Sequence, residues 1–185
     1  MTLAFAAPPS LQSRLDISAG LVAMRVVYSD TDAMGVVYHA RYLDLAERSR
    51  TLLMTVAGLD VAQIEEEFAV LLMVNRLRAE YRRAARLHEN VEIRTALLRE
   101  GAAQLVWRSA ITTPGGLCVI VDVSTVCFDR VRRLPVALPA TVAAVCHRLP
   151  RVRRSAGRID FVIDTPRADP PLGSSDRDDR HLVSS

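Results

Sequence analysis

The chain of 185 residues, half of them hydrophobic, is long enough for one domain with a proper core and too short for two large ones. Its 24 basic residues are all arginine and are spread among 21 acidic ones for a net charge of +3, a distribution that argues against a nucleic-acid surface. The apolar run at residues 69–74 is far below the roughly 20 residues that span a bilayer, and the N-terminus lacks the charged start and apolar block of a secretory signal, so a cytoplasmic protein without a membrane span is expected.

Residues 1–20 carry prolines, scattered small residues and no period, and are expected to form a flexible leader. The domain is expected to start near Leu21, with a Val-rich strand over 21–28 and a polar, Gly-containing connection over 29–37. From 39 to 57, Tyr42, Leu45, Ala46, Ser49, Leu52, Leu53 and Val56 recur at helical spacing, with Asp44, Glu47, Arg48 and Arg50 between them. Gly58 then fits the position just past a helix end, and a short second helix is expected over 61–67.

The pattern next changes to period two or continuous apolar runs at 68–81, 91–99, 103–113 and 117–128, which predicts four long strands in a row. Their connections are a loop at 83–90, a tight Glu100-Gly101 turn and a Thr113-Pro114-Gly115-Gly116 hairpin, short enough for antiparallel neighbours. A terminal helix is expected over 139–148. Beyond it the chain turns Arg-, Asp-, Ser- and Pro-rich, so 149–185 is expected to be a largely disordered tail, with 159–163 a candidate for one extra edge strand. The plan over 21–148 is α+β, an antiparallel sheet wrapped around one long central helix.

Cys118, Cys127 and Cys146 form neither an even set nor a CxxC pair, so neither a disulfide framework nor a metal site is indicated. They read as small buried hydrophobes.

The segment from Tyr28 to Tyr42 places Asp30 and Asp32 in a turn just ahead of the helix. A helix N-terminus offers unpaired N–H groups and a partial positive charge, suited to an oxygen that becomes negative during acyl transfer. Gly35 allows a sharp turn and a close approach of substrate to backbone. A carboxylate beside such donors can attack an acyl carbonyl or take a proton from water. The same aspartates also suit plain turn and capping roles, and the residues alone leave both open.

Asp-Thr-Asp-Ala-Met-Gly-Val-Val-Tyr-His at 30–39, followed by Ala-Arg-Tyr-Leu and by Glu47-Arg48-Ser49-Arg50, resembles the signature of the 4-hydroxybenzoyl-CoA thioesterase family, especially its Tol-Pal-associated acyl-CoA thioesterase branch. The likeness continues more thinly through Glu80-Tyr81, residues 112–116 and residues 132–139. It implies a single hot-dog domain and a cofactor-free, metal-free acyl-CoA thioesterase. Carried over by position, it makes Asp32 the nucleophile or general base, and His39 the helix-entry residue whose N–H polarises the thioester and whose imidazole can shuttle a proton. Tyr38 reads as shaping the acyl pocket beside the substrate approach that Gly35 allows, and Arg99, Arg132 and Arg133 match the positions where the family keeps basic residues for the phosphates of CoA. Glu47, close to Arg50 on the helix, reads as an ion-paired structural residue. Family members are homodimers or homotetramers with pockets at the protomer boundary. Two alternatives stand beside this reading: release of an acyl chain from an acyl carrier protein, and a non-catalytic acyl-binding module.

Overall fold

The computed structural model describes residues 15–16, 18–152 and 163–164. In chain order the strands are β1 (Leu15–Asp16), β2 (Leu21–Arg25), β3 (Val70–Tyr81), β4 (Asn90–Glu100), β5 (Gln104–Thr113), β6 (Gly116–Asp129), β7 (Leu134–Pro135), β8 (Arg151–Val152) and β9 (Ile163–Asp164). The helices are α1 (Arg41–Val56), α2 (Val61–Phe68) and α3 (Ala140–Cys146). The main sheet runs β1-β2-β4-β5-β6-β3, so β3, although first of the four long strands in sequence, closes one edge. All its pairings are antiparallel.

Alternation along the strands sends one set of side chains toward α1. Val119, Val121 and Val123 of β6, with Val91 and Ile93 of β4, meet Tyr42, Leu45 and Ala46 of α1 in one apolar cluster. Leu97, Leu105, Trp107 and Cys127 meet Leu53 and Met54 in a second, which α2 and α3 cover. Between the two clusters runs a buried hydroxyl chain: Ser49 Oγ lies 2.9 Å from Thr95 Oγ1, which lies 2.8 Å from Ser109 Oγ. Each of these three hydroxyls finds its partner within the chain, so they enter the core with their hydrogen bonds met. The three cysteines are free and buried.

The buried face of α1 is Tyr42, Leu45, Ala46, Ser49, Arg50, Leu53 and Met54, which differs from the stripe expected from periodicity. Leu52 and Val56 are exposed, whereas Arg50, expected on the polar side, is buried. At about 100° per residue the buried face is turned toward Arg50 and Met54, which leaves Leu52 on the far flank, and Val56 stands on the last turn of the helix.

The sheet also extends past the boundaries expected from composition. β1 pairs with β2 ahead of Leu21, and Gly20, at φ +58°, packs where a Cβ would run into the Thr95 carbonyl. Past residue 149, Pro150 accepts the Leu97 N–H at 2.8 Å and β8 lies parallel to β4. The candidate edge strand at 159–163 meets the described residues only at Ile163, where β9 pairs with β8; the rest of it, with residues 1–14 and 165–185, lies outside them. Among the described residues no helix is long and apolar enough to cross a membrane.

Candidate active site

The connection between β2 and α1 is held from both ends. Asp30 is buried; its Oδ2 accepts the Val27 N–H at 2.9 Å, and its carbonyl accepts the Tyr38 N–H at 2.9 Å. Arg41 straddles the same loop, donating from Nε and Nη2 to the Ser29 carbonyl at 3.2 Å each and pairing through Nη1 with Asp44 at 2.6 Å.

Asp32 begins a tight turn inside this frame. Its N–H donates to the Val36 carbonyl and its carbonyl accepts the Gly35 N–H, both at 3.0 Å. Gly35 adopts φ +72°, where a side chain would be strained. Asp32 Oδ1 accepts the Met34 N–H at 2.8 Å, the local bond by which aspartate stabilises turns. Oδ2 makes no hydrogen bond among the described residues, and the side chain is exposed. One oxygen therefore orients the carboxylate while the other stays open to chemistry. The tip is docked on the 83–90 loop: Val37 N–H donates to the Ala85 carbonyl at 2.8 Å and Leu87 N–H to the Gly35 carbonyl at 3.2 Å.

His39 stands where the chain enters α1. The Arg41 N–H is taken by the Tyr38 carbonyl at 2.8 Å, whereas the His39 N–H makes no hydrogen bond among the described residues. Ala40, at the cap position, supplies no side-chain acceptor, so donors at this helix start remain available. The His39 carbonyl accepts the Tyr81 hydroxyl at 3.0 Å. The Tyr81 ring packs edge-on against Tyr42 at 6.0 Å, and the Tyr42 hydroxyl accepts the Ala85 N–H at 2.8 Å. Burial pushes the Tyr42 phenol up, so it stays neutral. The Tyr38 ring lies 4.2 Å from the imidazole of His39 and is half exposed.

Asp32, Gly35, Tyr38 and His39 thus share one braced loop at the Tyr81 end of the sheet. Arg99, Arg132 and Arg133 are not brought there within one chain. Arg99 pairs in register with Val106, which pairs with Ser124 and through it with Arg76. These residues alternate with those facing α1, so Arg99 opens on the outer face. There it lines a cavity of about 430 Å³ with Arg76, Arg78, Gln104 and Ser124. Arg132 and Arg133 occupy the turn after β6, braced by the Asp129 carboxylate, which accepts the Val131 and Arg132 N–H groups at 2.8 and 2.7 Å. Their side chains are exposed. Tyr81 pairs with Val119 and Val70 with Asp129; ten residues of strand at about 3.3 Å each put about 33 Å between the two ends.

Glu47 and Arg50 form the ion pair expected of them, but with Arg50 buried and Glu47 half exposed. Burial pushes the Arg50 guanidinium down, against the pull of Glu47. Burial also raises the Cys146 thiol to about 11, so that cysteine is no nucleophile at neutral pH. Among the described residues no cluster of His, Cys, Asp and Glu is placed to hold a metal ion. Sequence reasoning missed Tyr81 as the strut beneath His39 and Arg50 as a core residue. Nothing local marks either one, since both roles depend on contacts across the fold.

A helix cradled in an antiparallel sheet, with a carboxylate turn at the helix entry, is the hot-dog arrangement of thioesterases. The chain belongs to the thioesterase-like superfamily, whose profile matches residues 26–146. It is 32% identical over 126 residues to the acyl-CoA thioesterase YbgC of Haemophilus influenzae, a match covering 68% of this chain and 93% of that protein. It is 34% identical over 122 residues to the acyl-CoA thioester hydrolase YbgC of Escherichia coli, covering 65% and 90% respectively. Among solved structures, the hypothetical protein TT1821 of Thermus thermophilus superposes with a TM-score of 0.64 at 27% identity, covering 70% of this chain and 98% of that one. The 1,4-dihydroxy-2-naphthoyl-CoA thioesterase of Synechocystis shares the fold, with a TM-score of 0.64 at 16% identity over 68% of this chain and 93% of that one.

Proposed function

We propose that the protein hydrolyses acyl-CoA thioesters to the free acid and CoA, with Asp32 as nucleophile or general base and the His39 N–H as oxyanion donor. The observation that carries this reading is the presence, on one braced loop, of an Asp32 carboxylate oxygen and a His39 N–H that are both without partners among the described residues. The thioester carbonyl binds with its oxygen toward that N–H. Asp32 Oδ2 then attacks the carbonyl carbon, or takes a proton from the water that does, and the negative charge gathers on the oxygen held at the helix entry. The C–S bond breaks and CoA departs as the thiolate, which takes a proton from water or from the His39 imidazole. Where Asp32 is the nucleophile, water then hydrolyses the acyl-aspartyl anhydride to the free acid and restores the carboxylate. Family membership and the acyl-CoA activity of the Haemophilus and Escherichia relatives support the reaction class.

The working unit is a homodimer formed along β3. This strand is an open edge, with Met73, Val74, Leu77 and Tyr81 exposed on it, and an open edge favours pairing with a second copy. Antiparallel pairing about the middle of β3 carries the Arg132 and Arg133 turn of one chain to the Asp32 loop of its partner, where two guanidinium groups suit the phosphates of CoA.

The test is thiol release from acyl-CoA by wild type and Asp32→Asn, a nearly isosteric change that removes basicity. The variant is expected to keep its fold and to lose at least about a hundredfold in kcat. Undiminished turnover in a well-folded variant sinks the assignment. Running the same acyl group on CoA and on an acyl carrier protein separates the two substrate classes.

A further inference from the structure

Deeper along α1, away from the loop at its entry, lies a small, partly open cavity of about 70 Å³ lined by Arg50, Met54, Leu72, Trp107 and Thr125 and by the exposed Glu47 and Val61. Its polar residues are unusual for a core. The Arg50 side chain is only 8% exposed, and its one hydrogen bond among the described residues runs from Nη2 to Glu47, although a guanidinium has five N–H donors. Trp107 is 1% exposed, and its indole N–H is buried with no partner among the described residues. Thr125 is 2% exposed and among the described residues reaches only the Leu105 carbonyl, at 3.4 Å. A buried donor left unmet is costly, so the Trp107 N–H points to a missing acceptor, and the Arg50 guanidinium lines the same cavity.

Between this cavity and His39 the inward side of β3 offers an apolar track. Tyr81, Ala79, Leu77, Val74 and Leu72 pair with Val119, Val121, Val123, Thr125 and Cys127, the inward positions of β6. Tyr81 touches the His39 carbonyl, Leu72 lines the cavity, and Leu77 and Val74 are exposed between them. At about 1.5 Å per helical residue, Arg50 lies about 16 Å along the axis from His39, a span that a medium-to-long acyl chain covers.

Resting on the thioesterase reading above, we propose that the track guides the acyl chain and that the Arg50 cavity receives a carboxylate at its far end, making ω-carboxyl acyl thioesters the favoured substrates. Met54 and Leu72 enclose the last methylenes, and Arg50 and the Trp107 N–H bind the carboxylate oxygens. Glu47, 53% exposed at its side chain, swings toward solvent as the ligand takes its place on Arg50. The cavity is too small for a nucleotide, so CoA remains outside.

Trp107 is the chain's one tryptophan, so its emission reports on the cavity without reference to catalysis. Titration of the full chain with propionate and adipate should change that emission saturably, chloride at equal ionic strength should not, and Arg50→Met should abolish the response. In kinetics, acyl-CoAs of matched length, methyl-ended against ω-carboxyl, from six to fourteen carbons, should show at least about a tenfold preference in kcat/KM for the ω-carboxyl form at one length, the scale of a charge-assisted hydrogen bond. Arg50→Met should bring the ratio near one, and Arg50→Lys should retain part of it. No saturable emission change together with no ω-carboxyl preference in wild type overturns the proposal while leaving thioesterase activity on methyl-ended substrates intact. If no acyl-CoA of either kind is hydrolysed, the thioesterase reading falls, and with it the proposed substrate class.

Discussion

Asp30 and Asp32 sit two residues apart, yet the structure gives them different tasks. Asp30 is buried and spends its carboxylate on the Val27 N–H, so its loss would loosen the loop. Asp32 points outward with one oxygen tied to Met34 and the other open, which is what a positioned base or nucleophile needs. His39 is oriented from beneath by the Tyr81 hydroxyl. Tyr81→Phe removes that bond while keeping the ring that meets Tyr42. It is expected to lower kcat about five- to tenfold, the scale of one hydrogen bond. The melting temperature should barely move, because Tyr81 is 49% exposed. An unchanged kcat would show that the hydroxyl does not orient the helix entry.

Among the elements, β8 binds the last described part of the chain to the sheet. Pro150 accepts from Leu97, and Arg151 Nη2 lies 2.5 Å from Glu100 Oε2, whose side chain is only 16% exposed. Truncation after Leu149 removes both partners and leaves a buried N–H and a largely buried carboxylate behind. The melting temperature is expected to fall by about 4–10 °C, from about 2–3 kcal/mol of lost hydrogen bonding. The Asp32 loop sits on other strands, so turnover at low temperature should persist. An unaltered melting temperature would show that β8 adds nothing to stability.

For the whole molecule, the distance between the Asp32 loop and the Arg132 turn makes the proposed dimer a matter of function. Arg132→Ala with Arg133→Ala is expected to raise KM for acyl-CoA, more at low salt, with kcat changed much less, because phosphate contacts far from the thioester bind ground and transition states alike. A mixed dimer of this double variant with Asp32→Asn distinguishes the geometries. If each site draws its aspartate from one chain and its arginines from the other, one of the two sites is wild type throughout, and wild-type KM returns at half the activity. If both come from one chain, every site carries a defect and no such recovery appears.

The order of the main elements, the central helix and the Gly-containing turn ahead of it were legible in the sequence because each rests on local physics. Tyr42, Leu45, Ala46 and Leu53 recur at the helical period, the four long strands alternate between short turns, and Gly35 marks a position of positive φ. The resemblance over 30–39 singled out Asp32 where turn chemistry alone left two roles open. Tertiary structure decided what no local pattern encodes. Sheet order put β3 at an edge although β4 follows it in the chain, and strand register sent Arg99 to the outer face and Arg132 to the far end. Packing turned Arg50 into the core beside Trp107. Periodicity identifies the face of one element, but which neighbour meets that face is set only when the sheet closes over the helix.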